Sequence, residues 1–278
     1  MEEGNSRKEN QARILSQLRA MREQLEKLEE RVDTLSEKEV KPETRLLTFI
    51  QGFDEMIEGG IPGGHVVMLA GPSGSMKTSL ALYIMQKNRA QGVKGIYITL
   101  EESRQSLLKT MERLGIGTDE DSIVDIGKLR MEHESAEETR DWLQILKDYL
   151  SRRLEKGKLD LVIVDPLNSL YALAAMKDPR KDLFHFFAFL RGIGVTSLLI
   201  SEAEQKDELF LNHEDYLADG VLAVGYSTED GMDSGLQLRC SKMRHSNHSR
   251  TPMRLIFEKG EFSVSAKAQA KSDTDHRE

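Results

Sequence analysis

At 278 residues the chain is long enough for one large α/β domain plus an extension, with ample material for a core. A formal net charge of -8 and a pI of about 5.5 argue against nucleic acid or an anionic membrane as the main partner. Cys240 is the only cysteine, which excludes an internal disulfide, and no apolar run approaches the ~20 residues that span a bilayer. Met1-Glu2-Glu3-Gly4-Asn5 lacks the basic-then-apolar form of a signal peptide, so a soluble, cytoplasmic protein is expected.

Residues 8–38 are polar except at Ile14, Leu18, Met21, Leu25, Leu28, Val32 and Leu35, which alternate spacings of four and three. That heptad stripe predicts a coiled-coil helix, because a lone helix would leave so narrow a stripe wet. It pairs either with a partner or copy, or with its own globular domain. Lys41-Pro42 ends the helix. The expected domains are therefore a coiled-coil helix at 1–40, a globular domain at 41–264 and a polar, disordered tail at 265–278.

A short helix is predicted through Phe53 to Ile57, then a glycine- and proline-rich turn, Gly59-Gly60-Ile61-Pro62-Gly63-Gly64. His65 to Ala70 follows as a short apolar run that reads as a buried strand. Gly71-Pro72-Ser73-Gly74-Ser75-Met76-Lys77-Thr78-Ser79 is small and glycine-bearing, and Leu80, Leu82 and Ile84 start a helix to about residue 91. Strand, flexible loop and helix N-terminus form a P-loop, in which backbone N–H groups and the helix dipole converge on phosphate oxygens. Lys77 supplies a mobile charge for the β- and γ-phosphates, and the Thr78 hydroxyl is placed to ligate Mg²⁺. The usual pattern has glycine where this chain has Met76. A methionine is expected to fit only with negative φ and its side chain turned from the nucleotide, and to spare binding more than fast turnover.

Gly95 to Leu100 reads as the next core strand and ends in Glu101-Glu102, before a helix from Ser103 to about Leu114. Carboxylates at the C-terminal end of a parallel strand lie where open α/β sheets bind ligands, and one of them could deprotonate an attacking water. They equally suit a helix N-terminus, where acids favour the dipole and Ser103 caps. Ile123 to Leu129 reads as a further strand, and Ala136 to Leu154 as an amphipathic helix. Leu161-Val162-Ile163-Val164-Asp165 has the Walker B form, with Asp165 holding Mg²⁺ directly or through water. Phe184 to Leu190 is predicted helical and Val195 to Ser201 a buried strand. From Gly220 onward come short strands near 220–226, 235–243, 253–258 and 261–264, read as sheet-extending hairpins.

These pieces resemble the KaiC-type branch of the RecA-like ATPases. The likeness spans roughly residues 45–264 and rests on Gly52-Phe53-Asp54-Glu55 with Gly59-Gly60-Ile61-Pro62, the P-loop, Thr99-Leu100-Glu101-Glu102-Ser103, the Asp165 strand and Ser241-Lys242-Met243-Arg244-His245-Ser246-Asn247-His248. The resemblance implies an α/β fold: a RecA-like P-loop core with a mostly parallel sheet and a C-terminal β-hairpin extension. It implies ATP and Mg²⁺ as cofactors and a homo-oligomeric, hexameric ring with nucleotide at subunit interfaces. It also implies catalytic roles for Glu101 and Glu102, with Lys242 and Arg244 reaching a neighbour's γ-phosphate. A solvated strand edge with alternating charge is the other reading of Lys242 and Arg244.

The chain carries one ATPase domain where the clock proteins carry two. His213 to Ala218 has no Ser/Thr pair where their self-phosphorylated domain has one, so autokinase activity is not carried over. Three functions follow. The favoured one is a slow, ring-forming regulatory or signalling ATPase whose coiled coil recruits a partner or self-associates. The second is an ATP-sensing, repressor-like regulator with little hydrolysis, and the third a recombinase-like DNA-dependent ATPase. The segment 201–215 weakens the third, because Glu202, Glu204, Asp207, Glu208, Glu214 and Asp215 against Lys206 would repel phosphates.

Overall fold

The computed structural model describes residues 44–131, 141–157, 159–174, 176, 178–203, 213–226 and 235–265. The expected coiled coil at 8–38, the tail after Ser265 and most of the acidic stretch within 201–215 lie outside the described residues.

The strands are β1 (Arg45–Leu46), β2 (Ile61–Pro62), β3 (Val66–Gly71), β4 (Gly95–Thr99), β5 (Ile123–Asp125), β6 (Leu161–Asp165), β7 (Thr196–Glu202), β8 (Gly220–Tyr226), β9 (Leu236–Met243), β10 (Met253–Glu258) and β11 (Glu261–Ser265). The described helices are α1 (Lys77–Ala90), α2 (Arg104–Leu114), α3 (Ile126–Met131), α4 (Trp142–Glu155), α5 (Leu167–Leu173), α6 (Pro179–Gly192) and α7 (Glu214–Leu217). Strands β3 to β11 form one nine-stranded sheet in the order β11-β10-β9-β8-β3-β7-β6-β4-β5. From β8 through β3, β7, β6 and β4 to β5 all pairings are parallel, while β9, β10 and β11 add on antiparallel.

The apolar runs of β3, β4 and β6 have no polar alternation because helices cover both faces of the sheet. Successive side chains still take opposite sides. Val67 and Leu69 join the core beneath α1 and α2, whereas Val66, Met68 and Ala70 join the one beneath α4, α5 and α6. Helix α1 presents an unbroken buried run, Leu80 to Met85. Helix α2 is amphipathic, with Leu107, Met111 and Leu114 buried on one face. The Ser103 hydroxyl caps it by accepting from Ser106 N–H, and Gly115 ends it in the left-handed region. Asp141 and Asp178 cap α4 and α6 in the same way, with Pro179 in the first turn of α6.

The expected strand from Ile123 to Leu129 stops at Asp125 and becomes α3. Asp125 explains the break, since one carboxylate oxygen accepts from Arg104 N–H at 2.9 Å and the other from Lys128 N–H at 2.8 Å. A side chain that caps the segments on both sides leaves the chain turning rather than extended. Asp54 organises the entry to β3, accepting from the N–H groups of Thr48 and Phe49 and from the Thr48 hydroxyl. Arg45 ties this entry segment to the turn after β9, donating to the carbonyls of Ile57 and Gly60 and to the Ser246 hydroxyl.

Candidate functional site

All the parallel strands point their C-terminal ends the same way, and along that edge β3, β4, β6 and β7 enclose a cavity of about 420 Å³. Its wall is the loop Ser73 to Ser79 with Thr99, Glu101, Glu102, Asp165, Pro166, Ile200 and Glu202. Gly71 and Pro72 stand just behind it. A Cβ on Gly71 would come within 2.1 Å of the Val224 carbonyl oxygen on β8, so the strand leaves the sheet at a residue without a side chain. Gly74 turns the loop with a φ of 77°, and Tyr226 braces its tip by donating to the Gly74 carbonyl at 3.1 Å.

Met76 corrects the sequence expectation: its φ is 63°, in the left-handed region that the usual glycine occupies without cost. The loop must reverse there to aim α1 at the cavity, and the turn dictates the backbone whatever the residue. The conformation costs a non-glycine residue about 1–2 kcal/mol. Packing of the half-buried methionine against the core under α1 offsets part of that.

Lys77 is buried and bends back to donate to the carbonyls of Gly71 (2.9 Å) and Pro72 (2.8 Å). Burial lowers its pKa, and the nearby carboxylates of Glu202 and Asp165 pull it back up. Asp165 ends β6. Its Oδ2 accepts from the Thr78 hydroxyl at 2.8 Å and also from the Tyr97 hydroxyl. Burial raises the Asp165 pKa, and these two donors moderate the rise. Thr78 hydroxyl and Asp165 carboxylate are hard oxygen donors on adjoining elements, the donor set that Mg²⁺ takes alongside phosphate oxygens. The residues fit that ion.

Glu101 and Glu102 are exposed on the cavity rim. Glu101 accepts from the Ser169 hydroxyl on α5, and Glu102 from the Ser106 hydroxyl on α2 at 2.9 Å. Thus Gly71 to Ser79, Thr78, Asp165 and both glutamates gather on one edge. Three participants were not singled out from sequence for this cavity. Tyr97 was only an apolar strand position, Ser169 lay in a stretch given no structure, and Glu202 was counted with the acids of the 201–215 segment. A signal for Glu202 existed, since it ends β7 as Asp165 ends β6.

Lys242 and Arg244 are not part of this cavity. Antiparallel β9 sets Lys242 opposite Val221, at the beginning of β8, and the Arg244 N–H donates to the Asp219 carbonyl. That lies toward the opposite edge of the sheet: Arg244 stands level with Val66 at the start of β3, roughly 16 Å along the strand from Gly71, and Lys242 level with Met68, roughly 10 Å from it. Asp219 anchors the region by accepting from Val66 N–H (3.0 Å), Arg191 Nε (2.8 Å) and Arg244 Nη1 (3.0 Å). Burial pushes its pKa up, but the hydrogen bonds from Arg191, Val66 and Arg244 outweigh that, leaving it below the usual value. Lys242 donates to the Asp215 carbonyl at 2.8 Å, and burial together with the Arg244 charge lowers its pKa.

Residues 46–268 match the family model described as "ATPase: KaiC". A UPF0273 protein of Thermotoga maritima is 28% identical over 217 residues, 74% of this chain and 89% of that protein. The circadian clock protein KaiC3 of Synechocystis is 30% identical over 191 residues, covering 65% of this chain but 37% of that protein. The crystal structure of a KaiC-like protein from the hyperthermophilic archaeon Pyrococcus horikoshii is 25% identical. It superposes with a TM-score of 0.67 over 81% of this chain and 100% of that one.

Proposed function

Because the chain belongs to the KaiC family of ATPases, we propose that it binds Mg-ATP in this cavity and hydrolyses it slowly as a ring of like subunits, passing its nucleotide state to a regulatory partner. The observation that carries this reading is the division of groups between the two sheet edges. The residues read as holding phosphate, metal and water share one edge, while Lys242 and Arg244 stand toward the other, outside the lining of the same subunit's cavity.

Gly71 to Ser79 hold the triphosphate, with Lys77 leaving its carbonyl partners for the β- and γ-phosphates. Thr78 and Asp165 hold Mg²⁺, which when bound neutralises charge on those phosphates. Glu101 or Glu102 takes the proton of the attacking water, each carboxylate steadied by its serine hydroxyl. Lys242 and Arg244, donated by a neighbouring copy, stabilise charge that grows on the phosphoryl oxygens and make hydrolysis depend on assembly. Residues 8–38 supply self-association or partner binding, and the setting is cytoplasmic.

Met76 favours a second reading, an ATP sensor with little turnover, because its Cβ and strained backbone stand in the phosphate cradle. Phosphate release from Mg-ATP separates the two, with a Glu101→Gln/Glu102→Gln variant as the zero. The expected result is a rate above that variant which climbs with protein concentration and rises again in Met76→Gly. Equal rates with ATP still bound would remove hydrolysis and leave the sensor.

A further inference from the structure

Glu202 is the last residue of β7 and pairs in register with Gly71, where the P-loop leaves β3. Its main chain is held on both sides: Glu202 N–H donates to Asn168 Oδ1 at 2.9 Å, and the next residue, Ala203, donates to the Gly71 carbonyl at 3.1 Å. The side chain is exposed and lines the same cavity as Lys77, Thr78 and Asp165. Among the charges acting on Lys77, Glu202 comes ahead of Asp165.

A rigid strand end therefore delivers a carboxylate close to the one buried cation of the phosphate cradle. Nothing in the proposed chemistry uses this carboxylate. It is neither paired with Thr78 nor steadied by a serine as Glu101 and Glu102 are. A nucleoside triphosphate differs from the diphosphate by a phosphoryl group at the end of the chain nearest Lys77, so it alone brings extra negative charge toward Glu202. Like charges a few ångströms apart in a half-open cavity shift an equilibrium by about tenfold. We infer that Glu202 sets the balance between nucleoside triphosphate and diphosphate in this site, opposing the terminal phosphate with a carboxylate carried on a strand end whose main chain is held.

The inference rests on the cavity being a nucleotide site, and it adds a consequence: diphosphate competes well, so occupancy follows the triphosphate-to-diphosphate ratio. The test is titration calorimetry of the full chain and of Glu202→Gln, using ADP and the β,γ-imido analogue of ATP, each with Mg²⁺. In Glu202→Gln the analogue should bind about tenfold more tightly and ADP less than threefold differently, with the gap narrowing as salt screens it. Glu202→Thr should move the ratio the same way and Glu202→Asp should leave it near wild type. An unchanged affinity ratio in both neutral variants, or equal shifts for both nucleotides, overturns the inference while leaving the nucleotide site intact. A wild-type chain that binds neither nucleotide overturns both.

Discussion

At Asp165 one carboxylate oxygen accepts from Thr78 and from Tyr97 inside a pocket that leaves the residue 8% exposed. Desolvation dominates and raises the folded-state pKa above the unfolded value of about 3.9. The folded chain then binds the proton more tightly than the unfolded chain does. Stability at this site is greatest below the unfolded pKa and declines as pH rises through the folded one. At neutral pH the ionised carboxylate is a cost to the fold. Asp165→Asn should therefore melt a few degrees higher than wild type at pH 7 without nucleotide, at about 2–4 °C per kcal/mol. That advantage should shrink on acidification toward pH 4, and Mg²⁺-dependent nucleotide binding should be lost. A lower melting temperature at pH 7 would mean that the charge stabilises the fold. Met76 shows the same conflict in backbone form, holding a conformation that suits phosphate binding better than it suits a side chain.

Strand β3 carries the P-loop, and its position depends on close contact with β8 on one side and β7 on the other. The contact is tightest where the strand ends. The missing Cβ of Gly71 admits the Val224 carbonyl, and the Ser75 hydroxyl stands 3.0 Å from the same point. A methyl group there cannot be absorbed by a flexible side chain, because its nearest neighbour is backbone. Gly71→Ala should force β3 and β8 apart at the loop, costing about 1–3 kcal/mol as overpacking does. A drop in the urea midpoint with weakened nucleotide binding is the expected outcome, whereas unchanged values of both would show that the strands yield freely. The hydrogen bond from Tyr226 to Gly74 transmits any such shift directly to the loop tip.

Across the whole molecule, the two sheet edges hold halves of one proposed site. The test is complementation between copies. A Lys77→Ala variant lacks the phosphate lysine, and a Lys242→Ala/Arg244→Ala variant lacks the opposite edge. Each alone should release phosphate at background rates. Mixed and reassembled, they should regain a measurable fraction of wild-type activity, since some interfaces then join two intact halves. No recovery, with assembly verified by light scattering, would show that Lys242 and Arg244 do not serve a neighbour. Among the described residues no helix is long and apolar enough to cross a membrane.

Local chemistry made much of this legible in the chain alone. Apolar runs closed by Asp165 or Glu101, a glycine-bearing loop before Lys77-Thr78, and caps such as Ser103 act within a few residues, where periodicity and hydrogen bonding suffice to define strand, loop and helix. Other features depended on which strands lie side by side. With β7 next to β3, Glu202 enters the phosphate cavity. With β4 next to β6, the Tyr97 hydroxyl meets Asp165 across a span of 68 residues. The antiparallel turn of β9 sends Arg244 to the far edge. The left-handed backbone of Met76 is set by the path from strand to helix rather than by the residue that occupies it. The sequence alone thus determined most of the elements and many of the polar residues at their ends, because those follow from neighbours in the chain. Only the tertiary structure decided which of those ends share a cavity, because that follows from strand order and from the packing of two cores against one sheet.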